Sequence, residues 1–267
     1  MTGNNGRIPE MNSETVKIIP RHIVVFSLEW AKAAALQSMC NSSDEGDVIN
    51  VQLIDNLHSM NEWLNRSEKN VPDMMVLDIN ARDYVALLCS VRRKYPTLPV
   101  VIAQSRILFS DQVVAGWFGN IWLREYDSLI AGYPDVPLSA CVTDPRFSGA
   151  NTSAICAGAC KGQVSDTQVI DLARQWLCER LADSLGSERC ARVVTEWLAH
   201  GITPREAGDR INRSSKLMYY YRSLVIHSLK ISGHPGIFIP SLKLKNGPIS
   251  GRREGECRMR IACRNIS

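Results

Sequence analysis

Lys216, Arg222 and the tyrosines Tyr219 and Tyr220, preceded by Arg205 and Arg213, are the side chains whose types best suit a polyanion with base edges. Lys216 and Arg222 supply cationic donors that fit phosphate oxygens or the edge of guanine, while tyrosines contact thymine methyls or donate to phosphates. Arg205 and Arg213 stand at the starts of two expected helices and suit the positioning of a phosphate backbone. The competing assignment for the run Tyr219, Tyr220 and Tyr221 is packing, and Tyr221 is the ring expected to turn inward.

The elements that must position these groups lie in residues 193–231. Val193, Val194, Trp197 and Leu198 recur at the spacing of one buried helix face, and Gly201 supplies a stop. Thr203 is an N-cap, Pro204 occupies the first helical position, and Glu206 closes a capping box. This second helix is expected to bury Ala207 and Ile211, with the small Ala207-Gly208 pair letting another helix approach closely. After a tight turn at Asn212-Arg213, Ser214 caps a third helix whose inner face carries Leu217, Leu224, Val225 and Leu229. Two short helices thus deliver a third, Ser215 to Leu229, toward the major groove of DNA with its N-terminal half leading.

Over these residues the chain resembles the C-terminal domain of LuxR/FixJ-type bacterial transcription regulators, without a gap. The family's LA-x-G-x-(S/T)-x-x-E-x-(A/G)-x-x-(I/L) core stands here as Leu198, Ala199, Gly201, Thr203, Glu206, Gly208 and Ile211. The following helix keeps Ser214, Lys216, Arg222, Val225 and Leu229, with Met218 in a valine place. Tyr221 replaces a usual His, Leu217 a Thr, and Arg213 an apolar residue. The resemblance implies base-facing positions at Tyr219, Tyr220 and Ser223. It further implies a double-stranded DNA partner, and a homodimer or a heterodimer with another LuxR-type regulator.

Charge follows the same division. Residues 187–267 hold 15 Lys/Arg against 6 Asp/Glu, a balance of +9, whereas residues 1–186 hold 16 against 21, a balance of −5. A basic third is the electrostatic footprint of a DNA-binding domain, since phosphate contacts release counterions; its bland counterpart is a solvated basic surface.

The acidic part alternates apolar runs with helical stretches. HIVVF (22–26), MMVLDIN (74–80), VVIA (100–103) and GNIWL (119–123) read as strands, with helices after the first and from Asp83 to Tyr95. Such alternation indicates a parallel sheet covered on both faces. It resembles a receiver domain, a flavodoxin-like α/β fold, over about residues 20–130, and PDMMVLDIN is the best local match. The resemblance puts the phosphoacceptor on Asp78, at the carboxyl end of a strand where α/β sites lie. The remaining machinery departs from the family. Ser27 and Leu28 occupy the places of the acidic pair that would hold Mg²⁺, with Glu29 one position off. Gln104 stands at the switch Thr/Ser, next to Ser105, and Arg124 stands for the conserved Lys. A strand-end aspartate in a degenerate receiver is favoured over a phosphorylated one.

The expected organisation is a disordered N-terminus (1–20), a pseudo-receiver (21–130), a linker (131–166), an all-α helix-turn-helix domain with a preceding amphipathic helix (167–232) and a basic tail (233–267). That preceding helix carries Val169, Leu172, Trp176, Leu177 and Leu181, and suits packing on the DNA-binding domain or pairing between protomers. Pro235, Pro240 and Pro248, with four glycines, would break the fourth helix that the family adds. The apolar runs are too short to span a bilayer and the N-terminus lacks a signal-peptide core, so a cytoplasmic, nucleoid-associated protein is expected. Nine scattered cysteines fit a reduced compartment, and the C-x₃-C of Cys156 and Cys160 lacks two further ligands for a metal. With no Gly-rich phosphate loop after the first strand and no G-x-S-x-G, an enzyme, a catalytic residue and a cofactor are not expected. The function indicated is a DNA-binding transcriptional regulator that works without phosphorylation. The alternatives are an interaction protein that sequesters another regulator and a response regulator phosphorylated on Asp78.

Overall fold

The computed structural model describes residues 22–41, 49–66, 71–136, 138, 164–200, 202–229, 242 and 244. Residues 1–20, the Cys156 and Cys160 pair, Gly201 and most of the region after Ile231 lie outside the described residues.

Five short strands form one parallel sheet: β1 (His22–Phe26), β2 (Asn50–Ile54), β3 (Met74–Asp78), β4 (Val100–Gln104) and β5 (Ile121–Glu125). Their spatial order is β2-β1-β3-β4-β5, the doubly wound, flavodoxin-like order whose crevice falls between β1 and β3. Helices α1 (Trp30–Asn41), α2 (Leu57–Asn65), α3 (Val85–Lys94), α4 (Phe109–Phe118) and α5 (Tyr126–Gly132) alternate with the strands. A 3₁₀ turn at Ala81–Asp83 precedes α3.

Strand alternation divides the side chains between two cores. Val24, Phe26, Met75, Leu77, Val100 and Ile102 face the layer of α2, α3 and α4, where Trp63, Leu87, Leu88, Val91, Trp117 and Phe118 are buried. Ile23, Val25, Met74, Val76, Val101 and Ala103 face the opposite layer with Leu36 and Cys40 of α1, against which Leu129 of α5 packs. Burial on both faces explains why the central strands are unbroken β-branched or apolar runs.

The sequence reading recovers four strands and misses β2. Asn50 and Leu53 of that strand are exposed and Ile54 alone is buried, because β2 lies at the sheet edge with β1 as its partner. Two of the helices between the strands are not delimited by the sequence. α4 starts behind Leu108, which has no side-chain oxygen for a cap, and α2 is a nine-residue helix whose cap is Asn56. The helix expected from Asp83 begins two residues later, after the 3₁₀ turn.

The C-terminal part is helical: α6 (Asp166–Leu185), α7 (Glu188–His200), α8 (Pro204–Arg210) and α9 (Ser215–Ser228). A capping box between Ser165 and Gln168 starts α6, and Gly186 in the left-handed conformation (φ 65°) ends it. Val169, Ile170, Ala173 and Leu177 of α6 join the core beneath α3 and α4, whereas Leu181 belongs to the C-terminal core with Cys190, Ala191, Val194 and Trp197 of α7. α6 therefore serves both cores, packing on the helix-turn-helix side as expected through Leu181 and also on the sheet side. Phe109 of α4 also packs against both.

Candidate nucleic-acid interface and the Asp78 pocket

The helix-turn-helix is assembled from local signals. Thr203 Oγ1 accepts from the Glu206 amide at 3.2 Å, and the Glu206 carboxylate accepts from the Thr203 amide at 2.8 Å. These bonds to Thr203 hold the Glu206 carboxyl below its ordinary range, so it stays ionised and keeps the cap closed at neutral pH. Ser214 Oγ accepts from the Leu217 amide and caps α9. Between the helices Asn212 takes a positive φ of 53°, and the Arg213 amide returns to the Gly208 carbonyl at 2.8 Å. Gly208 permits this turn, because a Cβ there would lie 2.5 Å from the Arg213 carbonyl oxygen. The small pair Ala207-Gly208 thus admits the turn and the start of α9.

The core beneath is built from Ala207, Met218 and Val225 together with Val194 and Trp197, and Trp197 Nε1 donates to the Ile202 carbonyl at 3.0 Å. Leu217, Leu224 and Leu229 pack around it only partly buried, and the innermost position expected for them falls to Met218. Ile211 is exposed at 36 %, contrary to the expectation that α8 buries it, because α8 ends at Arg210 and Ile211 belongs to the turn. Tyr221 packs against the core as expected.

The expected contact residues sort by exposure. Lys216, Tyr219, Tyr220 and Ser223 are exposed and recur at the three- and four-residue spacing of one helix face. Arg205 and Arg213 are exposed beside them in sequence, at the start of α8 and in the turn. Arg222 is half-buried and leaves that face. His227 continues the exposed face and was not singled out from sequence, since an isolated histidine carries no spacing signal.

At the other end of the chain, Asp78 sits at the carboxyl end of β3 with its side chain 11 % exposed. Ser27 Oγ donates to Asp78 Oδ2 at 2.7 Å, and the Tyr126 hydroxyl donates to Asp78 Oδ1. Burial, reinforced by the bond to Asp78, pushes the Tyr126 phenol far up, so it remains a donor. Lys32 Nζ lies 3.9 Å from Asp78 Oδ1 and 2.6 Å from Glu29 Oε1, and the bond to Glu29 raises its pKa. The β1–β3 crevice is thus bridged by the Ser27–Asp78 bond. Glu29 is drawn to Lys32, and no cluster of three potential metal ligands occurs among the described residues. Tyr126 and Lys32 are the partners that sequence reasoning missed, since one is 48 residues from Asp78 and neither has a motif spacing to it.

Beside this pocket Gln104 is locked. Its Nε2 donates to Asp111 Oδ2 at 3.1 Å and to the Arg106 carbonyl at 3.0 Å. Asp111, fully buried in α4, also accepts from the Arg82 guanidinium at 2.6 Å, the Arg82 amide at 3.0 Å and the Leu108 amide at 2.9 Å. Arg124 pairs in β5 opposite Ala103 of β4.

No family model and no curated protein matches the sequence. The fold, a five-stranded parallel sheet with flanking helices followed by a helical region, is nevertheless shared with solved structures. The solved structure of two RcsB dimers bound to two parallel DNAs matches with a TM-score of 0.50 at 14 % identity, over 83 % of this chain and 98 % of that one. RcsB from Salmonella enterica serovar Typhimurium bound to promoter rprA matches with 0.38 at 15 %, over 83 % and 98 %. FixJ from B. japonicum gives 0.35 at 16 %, over 82 % and 94 %.

Proposed function

We propose that this chain is a DNA-binding transcriptional regulator that acts without phosphorylation, as a dimer or with a partner regulator. The observation that carries this reading is the exposed face of Lys216, Tyr219, Tyr220 and Ser223, on a capped helix held by a tight turn. The basic balance of +9 after residue 186 supplies the sequence-independent attraction to phosphate. The DNA-bound RcsB structure, which has the same fold, supports the same use. Arg205 and Arg213 are assigned to backbone phosphates, Lys216 to phosphate or guanine, and Tyr219, Tyr220 and Ser223 to base edges, while Arg222, half-buried and off that face, is left without a base contact. Residues 21–130 act as a pseudo-receiver and 167–232 as the DNA-binding unit, flanked by the linker 131–166, the segment 1–20 and the basic tail 233–267. A cytoplasmic, nucleoid-associated place follows from this role. No helix among the described residues is long and apolar enough to cross a membrane.

The exposed ammonium of Lys216 makes the first test. Lys216→Ala should weaken binding across all duplexes and lower the slope of log affinity against log salt by about 1, with the melting temperature unchanged. Gel-shift titrations at several salt concentrations measure this, and binding equal to the parent's would place the interface elsewhere.

Independence from phosphorylation rests on Asp78, both of whose oxygens accept hydroxyl donors. Attack on a phosphoryl donor requires a free carboxylate oxygen and a cation to neutralise charge, and Ser27 and Leu28 offer no acidic ligands. Incubation with a small phosphoryl donor and Mg²⁺ is expected to leave the protein unlabelled and its DNA affinity unchanged. Stoichiometric labelling that Asp78→Asn abolishes would return the chain to the phosphorylated class.

A further inference from the structure

The exposed face of α9 carries one side chain suited to guanine, Lys216, and none that reads adenine by paired hydrogen bonds. Its exposed positions are Ser215, Lys216, Tyr219, Tyr220, Ser223 and His227, with no Arg, Asn or Gln among them, and Arg222 is half-buried. Arg or Lys on guanine and Asn or Gln on adenine are the usual bidentate pairs in the major groove. Beside Lys216 the face carries two phenol rings, Tyr219 exposed at 56 % and Tyr220 at 61 %.

These rings are the fifth and sixth residues of α9, within the first two turns, which in helix-turn-helix proteins lie nearest the bases. The Tyr220 ring centroid lies 6.0 Å from that of Tyr221, and Tyr221 packs against the core, so a half-buried ring braces an exposed one. Large aromatic side chains have few rotatable bonds to fix on contact, and covering two exposed rings is favoured over leaving them in water. On the major-groove edge the apolar group that such rings can cover is the C5-methyl of thymine.

We propose that Tyr219 and Tyr220 make α9 a reader of thymine methyl groups. The preferred half-site then carries A·T pairs with thymines beneath the two rings, and Lys216 takes a flanking guanine or phosphate. This rests on the DNA-binding reading above and adds the class of base recognised.

Duplexes selected from a random pool by the full chain test it, after each thymine in the selected half-site is replaced in turn by deoxyuridine, which lacks only the methyl. For the parent protein, uracil at one or two positions should weaken binding about fourfold each, the worth of one covered methyl. Tyr219→Ala and Tyr220→Ala should bind thymine and uracil duplexes alike at those positions, while Tyr219→Phe and Tyr220→Phe keep the preference. Melting curves of the alanine variants should match the parent's, since both rings are exposed. Equal binding of thymine and uracil duplexes by the parent overturns the proposal, as does a preference that survives both alanine changes. So does conversion of a dimer to monomers by either alanine variant in sedimentation, which would assign the rings to a protein contact. Steep salt dependence with indifference to uracil leaves DNA binding standing and removes only the thymine reading. Failure to bind any duplex at low salt removes both.

Discussion

Replacing Asp111 with alanine is expected to lower the unfolding free energy by about 3–5 kcal/mol, because it strips the partner from a nearly buried guanidinium. Asp111 is fully buried and accepts from Arg82, Gln104 and the Leu108 amide, while the Arg82 side chain is only 14 % exposed. Removal of the carboxylate leaves a cation and several donors without an acceptor at the head of α4. Asp83, 3.8 Å from Arg82 Nε, recovers part of the loss and sets the result toward the lower end of that range. Asp111→Asn keeps one acceptor oxygen and should lose less. Urea denaturation followed by circular dichroism measures both, and an alanine variant within about 1 kcal/mol of the parent would show that Asp111 does not hold this loop. A loss of this size is a large fraction of the stability of an ordinary domain.

Gly208→Ala is the second large effect. In an ordinary helix this change stabilises, since alanine outranks glycine by about 1 kcal/mol. Here the added Cβ meets the Arg213 carbonyl oxygen at 2.5 Å and the Ser215 amide nitrogen at 3.3 Å, both backbone atoms that cannot rotate away. The contact decides the sign. The α8–α9 turn must open, which breaks the bond from the Arg213 amide to the Gly208 carbonyl and tilts the exposed face of α9. The expected cost is about 2–4 kcal/mol in the C-terminal unit, with DNA affinity down tenfold or more. Hydrogen exchange over residues 203–229 and gel shifts report the two effects. Unchanged exchange and unchanged binding would mean that the turn tolerates the methyl group.

What the sequence makes legible follows how local the determining interactions are. The helix-turn-helix is legible because its signals sit within three residues of one another: Thr203 with Glu206, and Ser214 with the Leu217 amide. The central strands are legible because both their faces are buried, which leaves continuous apolar runs. β2 is not, since an edge strand with one deeply buried residue resembles a loop. Ile211 misleads because hydrophobic periodicity continues past Arg210 while the helix does not. The Asp78 pocket is half legible. Ser27 and Leu28 announce a lost cation site, but the identities that fill it, Tyr126 from α5 and Lys32 from α1, depend on how distant elements meet at the carboxyl ends of the strands.

Helix α6 gives this chain a geometry of its own. Its 20 residues span about 30 Å, with one end set in the receiver-type core and the other in the helix-turn-helix core. A shaft clamped at both ends transmits torque but gives no slack. Successive residues on it are about 100° apart, so the heading of the exposed face of α9 relative to the sheet is set by the number of residues between Leu177 and Leu181. Chain length within one helical turn sets that heading.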